Sequence, residues 1–124
     1  MPFVDPTTAN NLTHDAIAAI KQRNGSGTWR ERISATTEHR SVLLHWPPGT
    51  AQAAHYHPDC EEVFVVHEGC AEFTFDDEPP LEASPGSVLY APRGYRHSLR
   101  VVGDAPLLMM CFLAPNLPDD EVSA

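Results

Sequence analysis

Turn-forming residues cut this chain into pieces too short for long helices. Twelve prolines and seven glycines are spread over 124 residues. They fall at intervals of roughly 8–15 residues, and each proline removes a backbone donor that a helix or a central strand needs. Between them lie runs of apolar and β-branched residues: TWRERIS, HRSVLLHW, EEVFVVH, AEFTFDD, SVLYA, RHSLRVV and PLLMMCFL. The pieces that join them, PPG, EG, EPP, SPG, PRG and VGDAP, are turn chemistry. Two runs alternate with period two, Glu72/Thr74/Asp76 against Phe73/Phe75 and Ser98/Arg100 against Leu99/Val101. A strand with one buried face reads this way. Seven or eight short strands at this spacing predict an all-β fold, a sandwich or a barrel.

The two ends read differently. Thr13 is placed to cap a short helix, THDAIAAIKQR, with Ile17 and Ile20 on one face and Asn24-Gly25 to end it. The GSG at 25–27 is a flexible break. Residues 1–27 are therefore expected to be an N-terminal extension and residues 28–115 the β domain. Residues 116–124, polar and acidic, are expected to be a frayed C-terminal tail. A domain of this size buries roughly two-thirds of its unfolded surface, so it needs no covalent staple.

Charge narrows the partners. Seventeen acids against eight Lys+Arg give a net charge of −9 with no basic run, which argues against nucleic acid. The single Lys21 argues against an anionic membrane surface. MPFVDPTTANN lacks the charged and apolar regions of a secretory signal, and no apolar run nears the ~20 residues of a membrane span. A cytoplasmic location is expected. Cys60, Cys70 and Cys111 are odd in number and lack CxxC spacing, as reduced thiols in that compartment would.

One stretch, HYHPDCEEVFVVHEG at 55–69, concentrates chemistry. His55 and His57 are two apart, which on an extended segment aims both imidazoles to one side. A loop follows, and a strand opens at Glu61 or Glu62. From Glu62, alternation puts Glu62, Phe64 and Val66 on one face and Val63, Val65 and His67 on the other. Much later His97 opens a strand with Leu99 and Val101 as its same-face partners, so it is buried or partnered. His55, His57, Glu62 and His97 are thus candidate metal ligands. Imidazole plus carboxylate suits one divalent transition metal, Fe, Mn, Ni, Zn or Cu. Four ligands on a six-coordinate ion leave two positions for water, oxygen or a chelating substrate.

These residues resemble a known family. Gly49-TAQAA-His55-Tyr-His57-PDCE-Glu62-VFVVHE-Gly69 is similar to the first cupin motif, G(X)5HXH(X)3–4E(X)6G, at every defining position. Counting back from Gly69 selects Glu62 over Glu61, as strand parity does. Gly86-SVLYA-Pro92-Arg-Gly94-YR-His97 resembles the second motif, G(X)5PXG(X)2H(X)3N, except that Val101 stands in place of the asparagine. The resemblance implies a small double-stranded β-helix, or jelly-roll, barrel with the metal inside. It also implies a homodimer, because segments outside the two motifs often pair with a neighbouring subunit.

The remaining candidates have blander alternatives. Parity turns His67 away from Glu62, and His14 and His39 sit in polar surroundings, so all three are expected at the surface, as is Glu61. His45, in VLLHW, could face the barrel or a subunit interface. Cys60 reads as a loop thiol rather than a ligand. Phe64, Phe73, Phe75 and Tyr90 read as core, some of them facing the cavity. Met109, Met110 and Cys111 are packing, or Met109 and Cys111 floor the pocket. Tyr95 and Arg96, just before His97, are placed to recognise a substrate carboxylate or enolate at the barrel mouth. With Phe64, Tyr90, Leu99, Met109 and Cys111 they make up the expected substrate pocket. Gly69 and Gly94 are expected to close turns.

The function expected from this pattern is a metal-dependent oxygenase or related oxidoreductase. Its substrate would be a small chelating molecule such as a diketone, enol or phenolic acid. Glu62 could then serve as a base as well as a ligand. The alternatives are a Lewis-acid isomerase, lyase or cyclase, or a non-enzymatic cupin that binds or senses a ligand or metal. A metal-free storage protein is a further option.

Overall fold

The computed structural model describes residues 11–124, so the first ten residues of the expected extension lie outside the described residues. Helix α1 (His14–Asn24) starts where Thr13 Oγ1 accepts the Ala16 N–H at 3.1 Å, and Gly25 ends it at φ 82°. Its apolar stripe is short but is used: Ile20 is buried, and with Ile17 and Leu12 it packs on Ile33, Leu43 and Leu108. The helix is thus docked on the β domain.

Ten strands follow: β1 (Trp29–Ala35), β2 (Arg40–Trp46), β3 (Ala51–Tyr56), β4 (Glu61–Glu68), β5 (Cys70–Phe75), β6 (Leu81–Ala83), β7 (Val88–Ala91), β8 (His97–Val102), β9 (Leu107–Ala114) and β10 (Val122–Ser123). They form two five-stranded antiparallel sheets, β1-β2-β9-β4-β7 and β10-β3-β8-β5-β6. The chain crosses repeatedly from one sheet to the other, as a jelly roll does. Inward residues of both sheets make the core, with Phe64, Phe73, Leu99, Val101 and Met109 all buried. Val101, where the second motif has asparagine, is an apolar core position. Its backbone rather than its side chain makes the polar contacts, to Gly49 and Thr50.

Two expectations change. The C-terminal residues are not frayed: β10 pairs with β3 (Val122 opposite Tyr56, Ser123 opposite His55), and the Ala124 N–H donates to the Ala54 carbonyl at 3.1 Å. Asp120 Oδ2 also accepts the Asp59 N–H at 2.8 Å. The physical reason is the open edge of β3, whose donors and acceptors need a partner. Tyr90 is not core either. On β7, Leu89 and Ala91 point inward and Val88 and Tyr90 outward, leaving Tyr90 52% exposed. Among the described residues no helix is long and apolar enough to cross a membrane.

Candidate metal centre

Both sheets contribute to the site. Pairing of β3 with β8 sets His55 opposite His97, His57 follows just past the end of β3, and Glu62 faces them from β4. All four side chains are buried, and their donor atoms lie within 4.8 Å of one another. Nε2 of His57 and Nε2 of His97 stand 3.3 and 3.1 Å from Oε1 of Glu62. The rings of His55 and His97 are 4.3 Å apart, centroid to centroid.

The outer nitrogens fix two of the rings. His55 Nδ1 lies 3.1 Å from the Ala53 carbonyl and His97 Nδ1 lies 3.1 Å from the Tyr95 carbonyl. Donation to those carbonyls leaves each Nε2 as a lone pair aimed at the centre, the usual support for a metal-bound imidazole. Among the described residues, three buried polar atoms there, His57 Nδ1, Glu62 Oε1 and His97 Nε2, have no partner in hydrogen-bonding geometry, close as the last two stand. Buried polar atoms are rarely left so. Three imidazoles and one carboxylate, buried, converging and partly unsatisfied, fit a divalent first-row metal.

Charge agrees with this arrangement. Burial would raise the Glu62 carboxyl, but contact with His57 and His97 outweighs it and holds the group at about 2. Burial opposes a proton on His57, yet Glu62 raises that imidazole overall. His55 is lowered, by burial first and then by His97. Glu62 is therefore ionised at any ordinary pH, and so weak a base suits holding a cation better than taking a proton.

A cavity of about 90 Å³, open at its mouth, leads to the group. Phe64, Leu99, Met109 and Cys111 line it, together with His55, His57 and Glu62. Tyr90, Tyr95 and Arg96 lie elsewhere. The two tyrosines edge a shallow surface depression with Leu81 and Val88. Arg96 is turned to the acids, its Nη2 3.3 Å from Asp77 Oδ1 and its Nε 3.8 Å from Asp76 Oδ1.

The other candidates fall where parity sends them. His67 is exposed, and Glu61 sits 3.3 Å from Arg93 Nη1. His45 faces away from the barrel, stacked on Trp29 at 5.2 Å with Nδ1 2.7 Å from the Gly27 carbonyl. Cys60 is buried and donates to the Pro115 carbonyl at 3.2 Å; burial pushes its thiol up, and that of Cys111 well up.

Sequence reasoning missed Arg30, Arg40, Trp46, Gln52 and Glu121, all of which line the cavity. Parity on β2 could have found Arg40 and Trp46, which share a face with Val42 and Leu44. Nothing local could have found Glu121, because only the pairing of β10 with β3 carries it to the site.

Known proteins agree with this geometry. Residues 42–113, more than half of the chain, match the family model described as "Cupin domain". The dimethylsulfoniopropionate lyase DddQ of Ruegeria pomeroyi is 31% identical over 70 residues, 56% of this chain, and the match spans only 34% of that lyase. An uncharacterized protein of Methanocaldococcus jannaschii is 30% identical over 75 residues, 60% of this chain and 59% of that one. The crystal structure of DddQ superposes with a TM-score of 0.75 at 20% identity, covering 100% of this chain and 81% of that chain. KdgF from a Halomonas species superposes with a TM-score of 0.69 at 21% identity, covering 77% and 86%. At such identities the structural likeness speaks for the fold alone.

Proposed function

The chain belongs to the cupin family, and from that premise we propose that it is a metal-dependent lyase acting on a small chelating organic substrate. The observation that carries the reading is the buried His55–His57–Glu62–His97 group, with unsatisfied donors, at the end of a cavity open to solvent. A divalent metal held there would supply a Lewis acid that polarises a substrate oxygen. The protein's own residues do the rest. His55 and His97 are held in orientation by the Ala53 and Tyr95 carbonyls. Apolar side chains such as Phe64, Leu99 and Met109 wall the substrate from water. Glu121, exposed at the mouth, is the carboxylate free to accept a proton, whereas Glu62 is tied to the histidines. Likeness in sequence to a lyase supports elimination over oxygenation.

An oxygenase is the second reading, favoured by the donor set, since three imidazoles and a carboxylate also suit iron(II). The two separate in one experiment. Metal-loaded protein is offered dimethylsulfoniopropionate and other carboxylates with a β leaving group, under argon and in air. A lyase yields alkene and leaving group at equal rates in both atmospheres. Oxygen uptake with β-diketones or phenolic acids, and no elimination, would replace that reading with the oxygenase. Saturable binding with no turnover of any compound would leave a binding protein.

A further inference from the structure

Eight side chains carry a fixed positive charge. Five are matched to acids: Lys21 to Glu68, Arg23 to Glu31, Arg93 to Glu61, Arg96 to Asp76 and Asp77, and Arg100 to Glu72. Arg30, Arg32 and Arg40 have no acidic partner among the described residues. Two of the three, Arg30 and Arg40, line the cavity that leads to the metal group.

The strand register shows how they come to be there. Arg40 is paired across β2–β9 with Leu113, and Leu113 across β9–β4 with Glu62. Arg40 therefore lies in the same row as a metal ligand, two strands away, or about 10 Å at the usual strand spacing of about 4.8 Å. Arg30 is opposite Leu44, in the row that continues through Met109 to Val66. Both thus occupy the sheet face that elsewhere carries the core, where an apolar residue would be expected. Arg40 is also tethered. Its Nη1 donates to Asn116 Oδ1 at 3.3 Å, and Asn116 Nδ2 donates to the Thr36 carbonyl at 2.9 Å. Arg30 and Arg32 are both exposed on the edge strand β1, and of the two only Arg30 lines the cavity; Arg40 is half-buried and tethered, which a solvated edge charge does not explain. Leu113 stands between Arg40 and Glu62 in their row, and Val42 lies between the rows of the two arginines; both line the cavity, as do Leu44, Gln52 and Glu121.

We infer that Arg30 and Arg40 form a carboxylate-binding end of the cavity. The molecule held there is a small carboxylate with a short apolar body, whose far end reaches the histidine–glutamate group. A planar guanidinium matches a carboxylate through paired N–H bonds, and an arginine with no internal acid keeps those donors for a ligand. The inference names the substrate class for the cavity and rests on that cavity being the ligand site of the proposed lyase.

The test is calorimetric titration with propionate and benzoate, and with the neutral propionamide and benzamide, into metal-free and zinc-loaded protein. Each acid is expected to bind at least about tenfold tighter than its amide in both forms. R30Q/R40Q should remove that preference without changing zinc content, and R32Q, which removes a nearby charge outside the cavity, should leave it intact. If the glutamine variant does not fold, R30K/R40K serves: charge without the fork should give intermediate affinity. Amides binding as well as acids, or R32Q weakening the acids as much as R30Q/R40Q, would overturn the clamp. Acids that bind only zinc-loaded protein, unaffected by the arginines, would also overturn it while leaving the metal reading standing. Arginine-dependent acid binding to a protein that takes up no zinc would do the reverse.

Discussion

Glu121 Oε1 lies 3.9 Å from Nε2 of His55, a contact between the residue just before β10 and a histidine of the candidate metal group. It exists because Ser123 pairs with His55 across β10–β3, which carries the preceding acid over the cavity mouth. Two carboxylates thus approach the same cluster with different freedom, Glu62 buried and Glu121 exposed.

That difference predicts separable variants. Glu121→Gln is expected to keep its metal while turnover falls by roughly 10²–10⁴, the usual worth of a positioned proton acceptor. Glu62→Gln is expected to lose the metal. Elemental analysis beside steady-state kinetics reads both, and full activity in Glu121→Gln would remove that residue from the mechanism.

Among side chains that could ligate, metal retention should follow the four of the cluster. His57→Ala and His97→Ala are expected to purify with little divalent metal, and added zinc should not raise their melting temperature. His67→Ala should behave as wild type, because His67 is on the exposed side of β4. A wild-type protein that neither carries metal nor is stabilised by any added divalent ion would refute the site.

Metal binding should also displace a proton. Burial opposes a proton on His57 but Glu62 raises the imidazole above its ordinary 6.5, so the metal-free protein holds that proton more tightly than a free histidine, and a metal needs the ring neutral. The signs follow from linkage. The stabilisation from a raised histidine is full below 6.5 and is lost as pH rises through its folded value. That from Glu62 is present above 4.5 and is lost as pH falls toward about 2. Raising the pH from about 5.5 to 8 should therefore enlarge the melting-temperature gain on adding metal. Near pH 6.5, calorimetry in buffers of different ionisation enthalpy should report protons released on metal binding.

Much of this centre could be read from the chain because its residues obey a local period. His55 and His57 are two apart, Glu62 shares a strand face with Phe64, and His97 shares one with Leu99; period two alone aligns them. What escaped reading was set by pairing between distant segments. AQAAHY in β3 has little of a strand's composition and is recruited by β8, while β10 is two residues long and exists only against β3. Tyr95 and Arg96 lie next to His97 in sequence, but the turn before β8 directs Arg96 to Asp76 and Asp77 rather than into the cavity. Neighbours in sequence around a turn do not share a direction, whereas neighbours in register across strands do. That is why Arg40, far from the motifs, lies in the row of Glu62.

The docked helix gives a stability prediction. Ile20 is 1% exposed and is the fully buried residue of α1. Ile20→Ala should cost about 3 kcal/mol, the usual range for a truncated core isoleucine. The ion pair from Lys21 to Glu68 is partly exposed on both sides, so Lys21→Ala should cost under about 1 kcal/mol. Urea denaturation of both variants at a common slope checks the ranking.

Two glycines with the same φ should respond differently to the same change. Gly69, between β4 and β5, and Gly94, before β8, both have φ 80°. An added methyl at Gly94 meets nothing within 4 Å, so Gly94→Ala carries only the cost of left-handed backbone, about 1–2 kcal/mol. At Gly69 the same methyl would overlap the Pro106 carbonyl oxygen and crowd Leu107 Cα at 3.0 Å. Those atoms are backbone at the start of β9, which pairs with β4, so they cannot move aside without shifting that pairing. Gly69→Ala is therefore expected to cost about 3 kcal/mol or more, combining strain with overlap. β9 also carries Met109 and Cys111 into the cavity wall. A shift of its first residues should weaken metal retention in Gly69→Ala but not in Gly94→Ala, and urea midpoints beside metal content would show whether the two effects travel together.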